Sequence, residues 1–178
     1  MATIYKLNQI NQLAGRNIFF DANVLIYIFW PTGTNGWQSS YSTAYNHLLR
    51  QGNQLSLEFR VVSEIINRIH RIEYENHLKR NGIQSKALRY KTYRDSAEGV
   101  SVLNDIYVIL ENDVLPHFEV IGKSFNKDEI MNFLVADYLD FADKAIAQIC
   151  SENNLVLLTN DIDYSSTSLE VLTSNPNF

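Results

Sequence analysis

The residues of this chain best suited to chemistry are carboxylates. Asp21 interrupts an apolar run, Ile18-Phe19-Phe20-Asp21-Ala22-Asn23-Val24-Leu25-Ile26. Glu64 precedes Ile65-Ile66, Asp140 and Asp143 stand three apart ahead of Ala145-Ile146, and Asp161 and Asp163 follow Leu157-Leu158-Thr159. Carboxylates gathered in one cleft repel and raise one another's pKa unless a cation sits among them. Hard divalent cations such as Mg²⁺ and Mn²⁺ take oxygen ligands and keep several waters. A cluster of this kind can hold one or two metals, activate a water and stabilise a phosphoryl transition state. No zinc set competes, because His47, His70, His77 and His117 are scattered and only His70 and His77 are near each other.

Taken singly, each acid has a plainer explanation. Asp21 serves equally well as a helix N-cap, and Asp140 and Asp143 as favourable charges at a helix start. Glu64 alone reads as a solvated first-turn acid, and Asp161 and Asp163 as turn residues. What separates the two explanations is the place each acid takes in the fold.

The elements around them alternate. Residues 17–20 read as a short strand and 24–29 as a buried helix, with a Pro/Gly/Asn loop over 31–36. A helix over 39–51 with Ala44, Leu48 and Tyr41 on one side ends at Gly52-Asn53. Residues 55–62 alternate as a strand, and 64–79 place Ile65, Ile66, Ile69 and Ile72 at helical spacing until Asn81-Gly82. Residues 118–121 read as a further strand, and Asn126-Lys127-Asp128-Glu129 has capping-box spacing ahead of a helix. A helix from about Asp140 leads to the continuous apolar run Leu155-Val156-Leu157-Leu158, the pattern of a central parallel strand covered on both faces. A last strand is expected over 169–172. Strands alternating with helices imply an α/β sheet. On that map Asp21 and Asp161 lie just past the carboxyl ends of two strands, and Glu64 opens the helix after a third. Ligands of parallel α/β sheets bind at that edge, near the point where strand order reverses. Unrelated caps would not share one end of a sheet.

The bulk composition agrees with a folded enzyme-sized domain. The chain has 178 residues, 46% hydrophobic and 20% charged, with 7 Gly and 3 Pro, which argues against disorder. The longest apolar run, 24–30, is too short to span a bilayer, and no signal-peptide pattern opens the sequence. The one cysteine, Cys150, excludes an internal disulfide framework, fits a reducing cytoplasm and is expected to be a small core residue on a helix. Net charge is −5, yet residues 68–94 carry Arg68, Arg71, Lys79, Arg80, Lys86, Arg89, Lys91 and Arg94 against Glu73 and Glu75, a surplus of +6 beside a body of −11.

The four acidic stretches together resemble those of the PIN-domain ribonucleases. Asp21-Ala22-Asn23-Val24-Leu25-Ile26 is similar to that family's opening motif and Glu64-Ile65-Ile66-Asn67-Arg68 to its second. Asp140-Phe141-Ala142-Asp143-Lys144-Ala145-Ile146-Ala147 resembles the third, and Leu157-Leu158-Thr159-Asn160-Asp161-Ile162-Asp163-Tyr164 the fourth. Each motif is short, but all occur in order across almost the whole chain. The resemblance implies a three-layer PIN-like fold, with a twisted, mainly parallel sheet of about five strands flanked by helices. It implies one PIN-like domain over 1–178 with a basic helical insertion at roughly 68–126. It also implies Mg²⁺- or Mn²⁺-dependent hydrolysis of RNA phosphodiester bonds. By position, Asp21, Glu64, Asp143 and Asp161 would be the central acids, with Asp140 and Asp163 as auxiliary metal ligands. Asn23 and Thr159 would orient carboxylates or water. VapC-like toxins of type II toxin–antitoxin pairs share these motifs, which brings an antitoxin partner and a homodimer into the expectation. Ala22 stands where that family often has Ser or Thr, and the 68–126 segment is long for a compact toxin.

The basic residues of 68–94 would neutralise RNA phosphates, and Tyr74, Tyr90 and Tyr93 among them would either stack unpaired bases or pack on the body. Two rival functions differ in class. A catalytically inactive PIN-like module would hold RNA or a protein without cutting. A phosphoacceptor receiver domain would need an acid pair after the first strand and a late lysine, which Asp21-Ala22-Asn23 and 169–172 do not supply.

Overall fold

The computed structural model describes residues 1–30 and 36–178, so the 31–36 loop lies outside it except for Gly36. Its centre is the apolar run that opened the sequence. Ile18–Phe20 (β2) is wholly buried, and the chain turns at Asp21 directly into the helix Ala22–Phe29 (α1). Trp37–Arg50 (α2) packs on α1 through buried Tyr41, Ala44, Tyr45 and Leu48. The next strand, Leu55–Glu58 (β3), is shorter than its alternation predicts. Glu58 accepts a hydrogen bond from the Arg60 backbone amide and so starts the helix Phe59–Asn81 (α3). Glu64 therefore sits in the second turn of α3 and does not open it. Gly82, with φ of 62°, closes that helix in the left-handed region.

Tyr90–Arg94 (α4) and Ala97–Ile109 (α5) pack back on α3, and α5 runs on into a wider turn at Leu110–Val114. Gly99 is required at the α4–α5 junction, where a Cβ would stand 2.1 Å from the Tyr93 carbonyl oxygen. Glu119–Ile121 (β4) follows, and then Lys127–Phe133 (α6), whose N-cap Asn126 forms the reciprocal capping box with Glu129. Phe141–Glu152 (α7) buries Ala145, Ile146, Ile149 and Cys150, so Cys150 is a core residue on a helix. Val156–Leu158 (β5) is buried throughout, as its continuous apolar run predicts, and Glu170–Thr173 (β6) is the last strand.

The sheet has six strands in the order β1-β6-β5-β2-β3-β4, all parallel. The extra one is Thr3–Lys6 (β1), an edge strand hydrogen-bonded to β6. The architecture is α/β, an all-parallel sheet flanked by helices. From β2 the chain builds β3 and β4 to one side, then returns to place β5 and β6 on the other. Strand order therefore reverses between β2 and β5, where Ile18, Phe19 and Phe20 pair with Val156, Leu157 and Leu158. Among the described residues no helix is long and apolar enough to cross a membrane.

Candidate functional site

The reversal point is where a crevice opens at the carboxyl ends of parallel strands, and it is where Asp21 and Thr159 stand. Register puts one directly after Phe20 and the other directly after its partner Leu158. Asp21 occupies the N-cap position of α1, but its side chain makes no capping hydrogen bond. It accepts instead from the Thr159 hydroxyl and from the Asn23 side-chain amide, each at 2.6 Å and both on Oδ2. Thr159 Oγ1 also accepts from Asn23 Nδ2 (3.2 Å) and from the Asp161 amide (3.0 Å), which uses its one donor and both acceptor sites. Asn23 Oδ1 takes the Asn160 amide at 3.2 Å. The β2 and β5 ends are thus tied into one buried polar network, with Asp21, Asn23 and Thr159 all buried.

Two tyrosines complete the frame. Tyr41 of α2 reaches the loop after β5, donating to the Asn160 side chain at 2.8 Å and accepting from the Ser174 amide at 3.1 Å. Tyr164, fully buried, donates to Asp143 Oδ1 at 2.7 Å and ties the segment after β5 to the first turn of α7. Sequence reasoning singled out neither as a site residue. A tyrosine's hydroxyl partner depends on tertiary placement, and the only local hint was Tyr164 following Asp161 and Asp163.

Charge sets the character of the site. Burial pushes the Asp21 carboxyl up to about 7; the Thr159 hydrogen bond opposes this, and the negative charges of Glu64 and Asp143 add to it. Asp143 is half-buried and is raised to about 6, first by burial and then by Asp140, Asp161 and Glu64, against the Tyr164 hydrogen bond. Burial likewise raises the Tyr164 phenol. Glu64 and Asp143 therefore lie within electrostatic reach of Asp21, and Asp140, Asp161 and Glu64 within reach of Asp143. No Lys or Arg pairs with Asp21 or Asp143 among the described residues; Glu64 alone of the five has a cationic partner, Arg68 at 3.0 Å.

The remaining acids are held by the backbone. Asp140 caps α7 by accepting from the Asp143 amide at 2.9 Å, and Asp161 accepts from the Asp163 amide at 3.0 Å. Asp163 is exposed. With the side chains so engaged, no three His, Cys, Asp or Glu among the described residues stand close enough to hold a metal ion as they are. The donors nevertheless suit one chemically. They are hard oxygens, and a cation would supply the positive charge that Asp21 and Asp143 lack.

The basic residues form a separate region. Arg68, Arg71, Lys79, Arg80, Lys86, Arg89, Lys91 and Arg94 are all exposed, but several are engaged locally. Arg71 lies 4.5 Å over the Tyr90 ring, Arg80 pairs with Glu98 at 3.6 Å and Arg94 with Asp95 at 2.9 Å. The tyrosines pack on one another and on His70 and His77, and Tyr93 is buried. Of the two roles open to these rings, packing is the one the structure gives Tyr93.

The all-parallel α/β sheet flanked by helices, with carboxylates at its reversal edge, matches a PIN-like fold. The chain is similar to FitAcB from Neisseria gonorrhoeae, with a TM-score of 0.54 and 15% identity over 87% of this chain and 96% of that one. It is also similar to PAE2754 from Pyrobaculum aerophilum, with a TM-score of 0.50 and 16% identity over 90% of each chain. At such identities the likeness is one of fold. No family model matches the chain, and no curated protein does.

Proposed function

We propose that the protein is a metal-dependent endoribonuclease that hydrolyses RNA phosphodiester bonds at the β2–β5 edge. The observation that carries this is Asp21. It is a buried carboxyl with no cationic partner, fixed by Thr159 and Asn23 at the strand-order reversal, with Glu64 and Asp143 within electrostatic reach. A structural cap would not need that arrangement, and Asp21 does not cap with its side chain. Mg²⁺ or Mn²⁺ would be held mainly by Asp21, Asp143 and Asp161, with Glu64, Asp140 and Asp163 completing the surround. When bound, the metal would supply a polarised phosphate and a water of lowered pKa. Thr159 and Asn23 fix the Asp21 carboxylate, Tyr164 fixes Asp143, and Arg68 restrains Glu64.

A second reading has its own observation. Because no three acids among the described residues converge to metal-holding distance, a PIN-like module that binds RNA or a protein without cutting also fits the structure. The two are separated by comparing wild type with Asp21→Asn on a mixed RNA pool in Mg²⁺, Mn²⁺ or chelator. Cutting by wild type alone, and only with metal, supports the nuclease; equal cutting by both, or none with any metal, removes it. The resemblance of the four acidic stretches to those of VapC-like toxins supports extending the proposal to a cytoplasmic toxin that has an antitoxin partner and forms a homodimer. Co-expression with the product of the adjoining reading frame, followed by sedimentation, tests both partners.

A further inference from the structure

Beside the acids lies a feature of which the nuclease chemistry uses only Asp163. The segment leading into α7 and the helical turn Ile162–Ser166 border an open surface cleft of about 270 Å³ lined by Tyr138, Ile162, Asp163, Ser165 and Ser166. Tyr138 is 82% exposed and Ile162 38% exposed, although both are large apolar side chains. The cleft belongs to the site's own frame. Ile162 stands between Asp161 and Asp163, Tyr138 is two residues before the α7 cap Asp140, and the Tyr164–Asp143 hydrogen bond joins its two walls.

We infer that this cleft receives an unpaired nucleobase of the RNA strand, next to the phosphate that is cut, with Tyr138 as the stacking residue. The inference rests on the nuclease reading and adds to it a base-binding position. An exposed aromatic ring facing an aliphatic side chain is suited to a flat π-system, and stacking tolerates any base. The volume suits one ring system, since it falls just below the range of pockets for drug-sized ligands. The rim is polar, with the Asp163 carboxylate and the hydroxyls of Ser165 and Ser166; Ser166 itself donates to the Asp163 carbonyl at 3.0 Å. A carboxylate at the rim accepts from exocyclic amino groups, so adenine, cytosine or guanine is favoured there over uracil. A base-paired nucleotide presents neither a free face nor a free edge, so the strand must be unpaired at this position. The tyrosines of 68–94 do not compete for this role: Tyr93 is 1% exposed, and the Tyr74 hydroxyl is bound to the Leu88 carbonyl. The exposed apolar side chains Met131, Leu134 and Val135 precede Tyr138 in the chain but do not line the cleft. The polar rim and the adjoining acids favour the nucleobase.

The test is a double-mutant cycle between protein and substrate. After the cut site is mapped in a short unstructured RNA, each flanking base in turn is replaced by an abasic ribose. Tyr138→Ala and Tyr138→Phe are compared with wild type. Tyr138→Ala should lower kcat/KM on the order of tenfold, the abasic substrate should do the same at one position, and the two losses should not add. Tyr138→Phe should restore wild-type rates. Additive losses at every flanking position, or Phe as damaging as Ala, overturn the inference. So does an effect of Tyr138→Ala confined to self-association in sedimentation, which would make this a protein contact. If wild type cuts no RNA, the nuclease reading fails, and the cleft is judged on binding by the Asp21→Asn protein. Quenching of 2-aminopurine in a bound oligonucleotide that disappears on adding Tyr138→Ala keeps it, and unchanged quenching or no binding discards it.

Discussion

The acidic edge and the basic helical segment handle charge in opposite ways. At the edge, Asp21 and Asp143 are drawn away from water without a cation, and both carboxyls rise to about 7 and about 6. In the α3–α5 segment, Arg68, Arg71, Arg80 and Arg94 each have an acid or an aromatic ring beside them. One region keeps a buried negative charge that a proton or an added cation relieves; the other gives half of its cations a neighbour and leaves Lys79, Lys86, Arg89 and Lys91 exposed to solvent. Solvent screens the exposed cations but not buried carboxyls, so the cost left standing at the edge points to function and makes the edge the sensitive region.

The sharpest way to break this contrast is Asp21→Asn. RNA cleavage should fall beyond the roughly 10–100-fold typical of residues that only support a metal ligand. Cleavage within that range would demote Asp21 to a supporting role. Thr159→Val should come next, within about 10–100-fold in rate, because it removes a donor to Asp21 and an acceptor of the Asp161 amide. A rate equal to that of wild type would show that the network does not position the acid.

Stability should carry the same signature. The folded Asp21 carboxyl is raised from 3.8 to about 7, so its stabilising share is fully present below pH 4 and is lost as pH rises through 7. Without divalent metal, thermal stability should therefore decline between pH 4 and pH 8, by on the order of 3 kcal/mol. Asp21→Asn should flatten that decline, and Mg²⁺ or Mn²⁺ should raise the melting temperature at pH 8 more than at pH 5. A metal-free profile identical in wild type and variant would remove this contrast. In the basic segment, reversing Lys86, Arg89 and Lys91 to Glu should weaken RNA binding and flatten its salt dependence with little change in melting temperature. Unchanged salt dependence would exclude this surface as the RNA track. The smallest effect is expected for Tyr93→Phe. Its buried hydroxyl has no partner among the described residues, so removal should shift stability by less than about 1 kcal/mol.

The sequence carried most of this fold because the central strands announce themselves. Ile18–Phe20 and Val156–Leu158 are buried on both faces and read as unbroken apolar runs. The edge strand Thr3–Lys6 does not, since four partly exposed residues leave no period to detect. Residues 55–62 alternate like a strand, yet Phe59 is 74% exposed and the Glu58 cap ends β3 four residues before that alternation does. Here a local hydrogen bond overrides a hydrophobic pattern. The acids of the edge were legible as residue types in order, whereas Tyr41 and Tyr164 were not, because their hydroxyls act across more than a hundred and about twenty residues respectively. The tyrosines of 68–94 could be read two ways for the same reason, since a sequence does not say which rings face each other.

The strand order also has a consequence in time. β2, β3 and β4 lie side by side and precede β5 and β6 in the chain, and those two occupy the other side of β2. A growing chain still tethered to the ribosome, surrounded by RNA, thus holds Asp21 and Glu64 but lacks Thr159, Asp161 and the Tyr164 tie. β5 then brings Thr159 and Asp161 to an edge where Asp21 and Glu64 already stand, so the edge is assembled in the order in which the chain is made.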